Sequence, residues 1–404
     1  MDELDAIADR VRRRESGAPL GPWTLEVYPT LACNLSCGFC DSTVRHQRPR
    51  GELSAARLLR LVDEAADLGA RRLMVLGGGE PLLAPHCVDV MRRGKARGLQ
   101  GMLTTNGTLL GAEVAATLVE IGWDEVHVSV DGARPQTHDR LRGHPGAFAR
   151  TIRNLCRLRG ARDQAGRGPR LALHTVLTRE NVDELAAIVR LAAAVGAEAV
   201  ELDALVAYRP EQRIHALGAA EAERLPERLR EGLAEAERLG VRTTYARLLD
   251  PRALRRGEGG ALVETAGGEA RNPEGGLSRV ATVATQMHGV ATTHGRVVSG
   301  SMIGIAAPTA SAAPDPLSAA PCLKAWHHLT VQADGRVAPC CVLAGEGGSV
   351  AERSLAEVWG LDPFLASVRA GMRAGRPPGR CAECSENLLA HERAIRARLP
   401  EVAA

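Results

Sequence analysis

The sequence predicts an α/β protein in which a series of β-then-α units builds a parallel sheet, followed by a small cysteine-rich C-terminal module. Three observations carry that reading. The apolar runs "WTLEVYPT", "RRLMVLGG", "QGMLTTN", "EVHVSVDG", "RLALHTVLT" and "AEAVELDALV" alternate with helix-patterned segments from residue 23 to about residue 206. Two compact groups of thiols stand far apart, Cys33, Cys37 and Cys40 near the start and Cys322, Cys340, Cys341, Cys381 and Cys384 near the end. Between them, from Gly257 to about Ala320, the composition shifts to Gly, Ala, Ser and Thr, with few large apolar residues.

Each unit has its own start and stop signals. Ser54 opens a helix whose apolar face carries Leu58, Leu61, Val62 and Ala65, and Gly69 ends it. In "NVDELAAIVRLAAAVG", Asn181 is expected to cap the first turn, Glu184 to close a capping box and Gly196 to stop the helix. Six such units place their working loops at the strand C-terminal ends. They suit an incomplete barrel, and strand count alone equally allows a doubly wound open sheet. Residues 207 to about 250 read as a further helix and a short "VRTTY" strand. The stretch after Gly257 reads as a lid, a small irregular sheet or a linker, with His288 and His294 as surface residues. "LTVQADGRVAPCC" reads as a β-hairpin turning at Asp334-Gly335.

Composition narrows the function. With 51 basic and 48 acidic residues the net charge is +3, far from the excess of a dedicated nucleic-acid binder, and "RVRRR" reads as a solvated helix face. Met1 to Arg14 is charged throughout, unlike a signal peptide, and no apolar run approaches the roughly 20 residues of a membrane span. The ten Cys are scattered rather than dense, which fits a reducing cytoplasm. Cys87 and Cys156 fall in helical stretches and are expected to be buried and inert.

The first thiol group follows the first strand directly. Three thiols in "CNLSCGFC" are one too many for a disulfide and one too few for a closed zinc site. Soft thiolates favour iron–sulfur clusters, copper(I) or zinc. Three of them on a cubane [4Fe–4S] cluster leave one iron without a protein ligand. The pattern resembles the radical S-adenosylmethionine (SAM) superfamily, whose signature is CxxxCxxC with an aromatic residue, here Phe39, before the third Cys. That resemblance implies a partial (β/α)6 barrel, a [4Fe–4S] cluster held by Cys33, Cys37 and Cys40, and SAM chelating the open iron through its amino and carboxylate groups. It implies reductive cleavage of SAM to a 5′-deoxyadenosyl radical, with electrons from a flavodoxin or ferredoxin. Gly78-Gly79-Glu80-Pro81 in "VLGGGEP" matches the family motif that holds the SAM amino group; glycine admits close backbone approach, and a carboxylate suits an ammonium. No Gly-Lys-Ser/Thr follows, so it is not a phosphate loop. By the same resemblance Asn106 in "LTTNGTLL" and Ser129 in "VSVDG" lie at the SAM site, and Arg142 in "THDRLRG" pairs with the SAM carboxylate, a task its guanidinium fork suits.

The second group resembles the reduced SPASM domain often called a twitch domain. That resemblance implies that Cys322, Cys340, Cys381 and Cys384 close an auxiliary [4Fe–4S] cluster; alone, the module would read as a zinc ribbon. Cys341 beside them reads as a packing residue. The expected organisation is an N-terminal extension (1–22), a radical SAM core (23–250), an insertion or linker (251–320), the auxiliary-cluster domain (321–392) and a tail (393–404). A fully ligated cluster suits electron transfer, so the expected reaction is hydrogen abstraction followed by one-electron oxidation of the substrate radical. Family members with this Cys pattern oxidise an alcohol of an aminocyclitol or sugar. Two other readings stand beside it: modification of a ribosomal peptide, and a noncatalytic zinc-binding scaffold. Only about 22 residues precede the first strand, so a leader-recognition domain is expected to come as a separate chain.

Overall fold

The computed structural model describes residues 2–40, 51–207, 210–249, 317, 320–343, 345–384 and 386–399; most of the Gly- and Ala-rich stretch, with His288 and His294, lies outside them. Strands β1 (Thr24–Val27), β2 (Arg72–Val75), β3 (Gln100–Thr105), β4 (Glu125–Ser129), β5 (Arg170–Leu177), β6 (Ala199–Ala204) and β7 (Arg242–Thr243) lie side by side in sequence order. Every neighbouring pair among them is parallel. A doubly wound sheet reverses its order at a switch point. Strands β1 to β7 show no such reversal, which agrees with the expected partial barrel, open rather than closed.

The strands alternate between two faces. Leu25, Val27, Leu73, Val75, Leu103, Val126, Val128, Leu171 and Leu173 join the helices in one core. Each such side chain contributes roughly 1.5–3 kcal/mol by leaving water. The helix Ala55–Asp67 shows how the sequence specifies this packing. The Ser54 hydroxyl accepts from the Arg57 amide at 3.2 Å, and Leu58, Leu61, Val62 and Ala65 are buried. Gly69 leaves the helix at φ +81°, as Gly196 does at φ +74° after Leu185–Val195.

Register puts Glu125, His127 and Ser129 of β4 beside Arg170, Ala172 and His174 of β5, and His174 beside Glu201 of β6, on the opposite, inner face. That face is polar. His127 Nδ1 lies 3.2 Å from Glu201, and His174 Nε2 lies 2.7 Å from Asp203 Oδ2.

The C-terminal hairpin enters the same sheet. β8 (His328–Val331) pairs parallel with β1, Thr24 opposite His328 and Val27 opposite Val331, and β9 (Val337–Ala338) pairs antiparallel with β8. The turn falls at Asp334-Gly335, with Gly335 at φ +85° and its amide bonded to the Gln332 carbonyl at 2.8 Å. Glu26 of β1 then meets His328 at 3.0 Å and Thr330 at 3.2 Å across the strand pair.

Three local expectations are corrected. The "RVRRR" run is not a solvated face. In the helix Glu3–Glu15, buried Arg10 donates to the Gly21 and Leu68 carbonyls, and Arg14 stacks on Trp359 at 4.4 Å. That helix packs Ile7, Ala8 and Val11 against Trp326, Ile395 and Leu399. Asn181 and Glu184 do not cap a helix. Asn181 bridges the Asp131 and Val176 carbonyls, while Glu184 accepts from the Ala133 amide and Thr137 hydroxyl. Cys156 is exposed, because in the helix Ala147–Ala165 the buried face carries Leu155 and Leu158; Cys87 is buried. Among the described residues no helix is long and apolar enough to cross a membrane.

Candidate active site

Cys33, Cys37 and Cys40 follow β1 at its C-terminal end, on a loop without regular structure. They line a cavity of about 190 Å³ with Gly77 to Glu80 after β2, Thr104 to Asn106 at β3, Ser129 at the end of β4, and Arg142. Of the expected SAM contacts, Gly78, Gly79, Glu80, Asn106, Ser129 and Arg142 therefore meet the three thiols at one cavity. Phe39 stands apart, buried behind the thiols rather than lining the space.

The loop is tied to the sheet by close contacts. A Cβ on Gly79 would fall 2.2 Å from the Ala32 carbonyl oxygen, so only glycine lets the strand end pass here. The next amide, Glu80 N, donates to that same oxygen at 2.8 Å. The Glu80 carboxylate is buried and anchored: Oε1 accepts from Thr105 Oγ1 at 2.6 Å and Leu82 N at 3.2 Å, and Oε2 from Asn106 N at 2.8 Å. Burial pushes this carboxyl up against those hydrogen bonds. Asn106 donates to Asn34 Oδ1 at 2.9 Å, and Asn34 donates to Thr108 Oγ1 at 2.8 Å, which stitches the loop to β3.

Arg142 is not a solvated arginine. It ends the helix Pro135–Arg142, is buried, and lies 2.6 Å from Asp131 Oδ2. One amino group stands 3.8 Å from Cys37 Sγ, and the guanidinium lies 5.7 Å from the Phe39 ring centre. Burial pushes the Cys37 thiol up to about 11, although the Arg142 charge pulls the other way.

The second thiol group converges as well. Cys322 precedes the short helix Lys324–His327, Cys340 follows β9, and Cys381 and Cys384 flank one turn in which Cys384 N donates to the Cys381 carbonyl at 3.3 Å. All four line a cavity of about 200 Å³ with Pro339, Val342, Leu343, Val368 and Met372, and with Lys324 and Glu392 as its charged groups. Burial pushes the Cys381 thiol up to about 12 and raises Cys322 and Cys340. Cys341 corrects the expectation of a packing residue, since the residue is exposed.

Both donor sets suit an iron–sulfur cluster, since each lines a cavity. Among the described residues no three His, Cys, Asp or Glu converge tightly enough to hold one metal ion. Thiolates that bind separate irons of a cluster enclose a space instead, and each set lines such a space. The core cavity also fits a carboxylate-bearing ligand, because Arg142 Nε is buried without a hydrogen-bond partner.

Comparison with known proteins agrees with this geometry. Residues 27–192 match the radical SAM superfamily, and residues 322–385 match the SPASM iron–sulfur cluster-binding domain. An AdoMet-dependent heme synthase of Methanosarcina barkeri is 36% identical over 177 residues, 44% of this chain and 49% of that protein. A PqqA peptide cyclase of Ruegeria pomeroyi is 33% identical over 173 residues, 43% and 44% of the two chains. The chain thus spans about half the length of the curated relatives it matches. Streptococcus suis SuiB bound to S-adenosylmethionine shares the fold at a TM-score of 0.59 and 16% identity, covering 87% of this chain and 68% of SuiB. Another fold neighbour, anSMEcpe with bound AdoMet, has a TM-score of 0.53 at 15% identity, covering 95% and 93%.

The chain carries a radical SAM domain over residues 27–192 and a C-terminal SPASM iron–sulfur domain over residues 322–385. The radical SAM domain implies SAM and a [4Fe–4S] cluster, and the SPASM domain implies auxiliary iron–sulfur.

Thr104, Thr105, Asn34 and Asp131 belong to the site although the motifs did not name them. Asp131 had a legible signal, an acid at the strand end in "VSVDG". Asn34 and Thr108 had none, since their bonds join segments more than seventy residues apart.

Proposed function

We propose that this protein is a radical SAM oxidoreductase that oxidises a polar substrate, with one auxiliary cluster as electron acceptor. The observation that carries the reading is the pair of cavities, one with three thiols beside polar ligand-binding groups and one with four thiols in apolar surroundings. When bound, SAM and the core cluster supply a radical that removes a hydrogen atom, and the auxiliary cluster supplies a one-electron sink.

In this reading Cys33, Cys37 and Cys40 hold three irons, and Cys322, Cys340, Cys381 and Cys384 hold four. Arg142 donates through Nε to the SAM carboxylate, and Glu80, fixed by Thr105 and Asn106, faces the amino group. Gly78 and Gly79 let the backbone approach, and Ser129 supplies a hydroxyl at the cavity wall. The substrate lies along the inner face, where Ser129 is in register with His174. His174, held through Nε2 by Asp203, offers its ring to a substrate hydroxyl. Such a wall suits a sugar or aminocyclitol alcohol. The electron donor is a flavodoxin or ferredoxin.

A second reading, modification of a ribosomal peptide, draws support from the PqqA peptide cyclase, which resembles this chain over its core. The test is anaerobic reconstitution followed by incubation with SAM, reductant and either polyols or candidate peptides. Loss of two hydrogens from a polyol, with 5′-deoxyadenosine released, supports the first reading, and a mass change in a peptide replaces it with the second. Roughly eight irons per chain, the content of two cubane clusters, are expected. Zinc with little iron removes both readings and leaves the noncatalytic zinc scaffold.

A further inference from the structure

The superfamily match ends at residue 192, yet the thiol loop is gripped by residues beyond it. The 3-10 segment Pro210–His215 meets the Cys37–Cys40 turn through Gln212 and His215. The His215 ring meets Phe39 edge-on, with centroids 6.3 Å apart and planes at 85°. Its Nδ1 is held by Glu180 Oε1 at 2.8 Å, and its backbone carbonyl accepts from Arg179 N at 3.0 Å. Gln212, fully buried, donates through Nε2 to the Phe39 carbonyl at 3.1 Å. At Gly38 a Cβ would lie 2.6 Å from His215 Nε2, so the missing side chain is the space the imidazole occupies.

The opposite side of the turn is held as well. Ser36 N donates to the Arg142 carbonyl at 3.1 Å, Gly38 N to the Leu141 carbonyl at 3.3 Å, and the Arg142 guanidinium covers Phe39. Phe39 is thereby clamped between Arg142 and His215, and Leu205 and Ala216 complete the apolar packing around Cys37. A loop with no ladder of its own must have its backbone entropy removed before three thiolates can present one fixed triangle.

We propose that His215, locked by Glu180 and seated in the space left by Gly38, is a positioning residue that holds the Cys37–Cys40 turn in its ligating geometry. This role rests on the functional reading above, because it presumes that the turn carries the SAM-binding cluster. Arg142 secures one side and faces the cavity; His215 secures the other and does not line it. Its effect therefore reaches SAM only through the loop.

The test uses the full chain, reconstituted anaerobically with iron and sulfide, reduced with dithionite and titrated with SAM while the core-cluster EPR signal is followed. In H215A the SAM-dependent change is expected to need at least about tenfold more SAM. SAM cleavage without substrate is expected to fall on the order of 100-fold, the usual cost of an ångström-scale misplacement. The C-terminal cluster signal is expected to stay unchanged and serves as the control for folding. G38A, whose methyl displaces the imidazole, is expected to reproduce the defect and to add nothing in an H215A background, the non-additivity of groups that act as a unit. Wild-type SAM dependence in H215A overturns the proposal. If H215A also loses the C-terminal signal, G38A and E180Q decide: a weakened SAM response in both supports it, and wild-type response in both overturns it. A wild-type protein without any SAM-dependent signal overturns the functional reading itself, and this role falls with it.

Discussion

The two thiol sites of this chain differ in what surrounds the sulfur. The core site has three thiols in a cavity shared with Glu80, Asn106, Ser129 and Arg142, whereas the C-terminal site has four in a cavity walled mostly by Pro, Val, Leu and Met, with Lys324 and Glu392 as its charged groups. A polar wall beside an incomplete ligand set is what a small zwitterionic cofactor needs. In the proposed reading, a largely apolar wall around a four-thiol set suits electron transfer. The sites are also anchored differently. The core loop hangs between strand ends and is held by side chains from distant segments, while the C-terminal site grows from a hairpin that continues the core sheet through β8 and β1.

Removing one thiol from each site breaks the comparison most sharply. C37A is expected to abolish SAM cleavage while about four irons remain per chain, the content of one cubane; iron analysis and 5′-deoxyadenosine release read both. C381A is expected to retain SAM cleavage and lose substrate oxidation, and an undiminished product rate would remove the auxiliary cluster as acceptor. Next in size is G79A, whose methyl would lie 2.2 Å from the Ala32 carbonyl oxygen. Overpacking of this kind costs typically 1–3 kcal/mol. The expected signature is impaired SAM binding in titration with the C-terminal cluster intact.

A smaller effect concerns the inner face of the core. Burial alone would depress the His127 imidazole, but the hydrogen bonds it donates to Glu125 and Glu201 outweigh it and raise the pKa to about 9. A folded-state value above the unfolded one contributes stability that is fully present below the ordinary His pKa near 6.5 and lost as pH rises through about 9. H127Q is therefore expected to flatten the fall in Tm between pH 7 and pH 9 in a melting series. The smallest change is S54A. Loss of this helix cap costs about 1 kcal/mol by chemical denaturation and should leave both clusters loaded.

Much of this architecture was legible because it depends on short-range pattern. Each of the six quoted apolar runs became a strand, Ser54 and Gly69 bound their helix, and Asp334-Gly335 turned the hairpin. The motif residues other than Phe39 also met at one cavity, since strand C-terminal ends in a sequential parallel sheet must share one edge. What stayed hidden depends on partners far along the chain. Asn181 and Glu184 look like a cap but are spent on the β4 loop, a stronger use for a buried amide and carboxylate. Arg10 and Arg14 look solvated until Trp359 and the Leu68 carbonyl arrive from distant segments. His215 carried no motif at all; only the three-dimensional gap at Gly38 exposes it.

The most direct trial of the account is the EPR spectrum of the reduced, reconstituted chain with and without SAM. A core-cluster signal that shifts on SAM addition, beside an auxiliary signal that does not, is the predicted result. Two signals that both ignore SAM, or no iron signal at all, would contradict it.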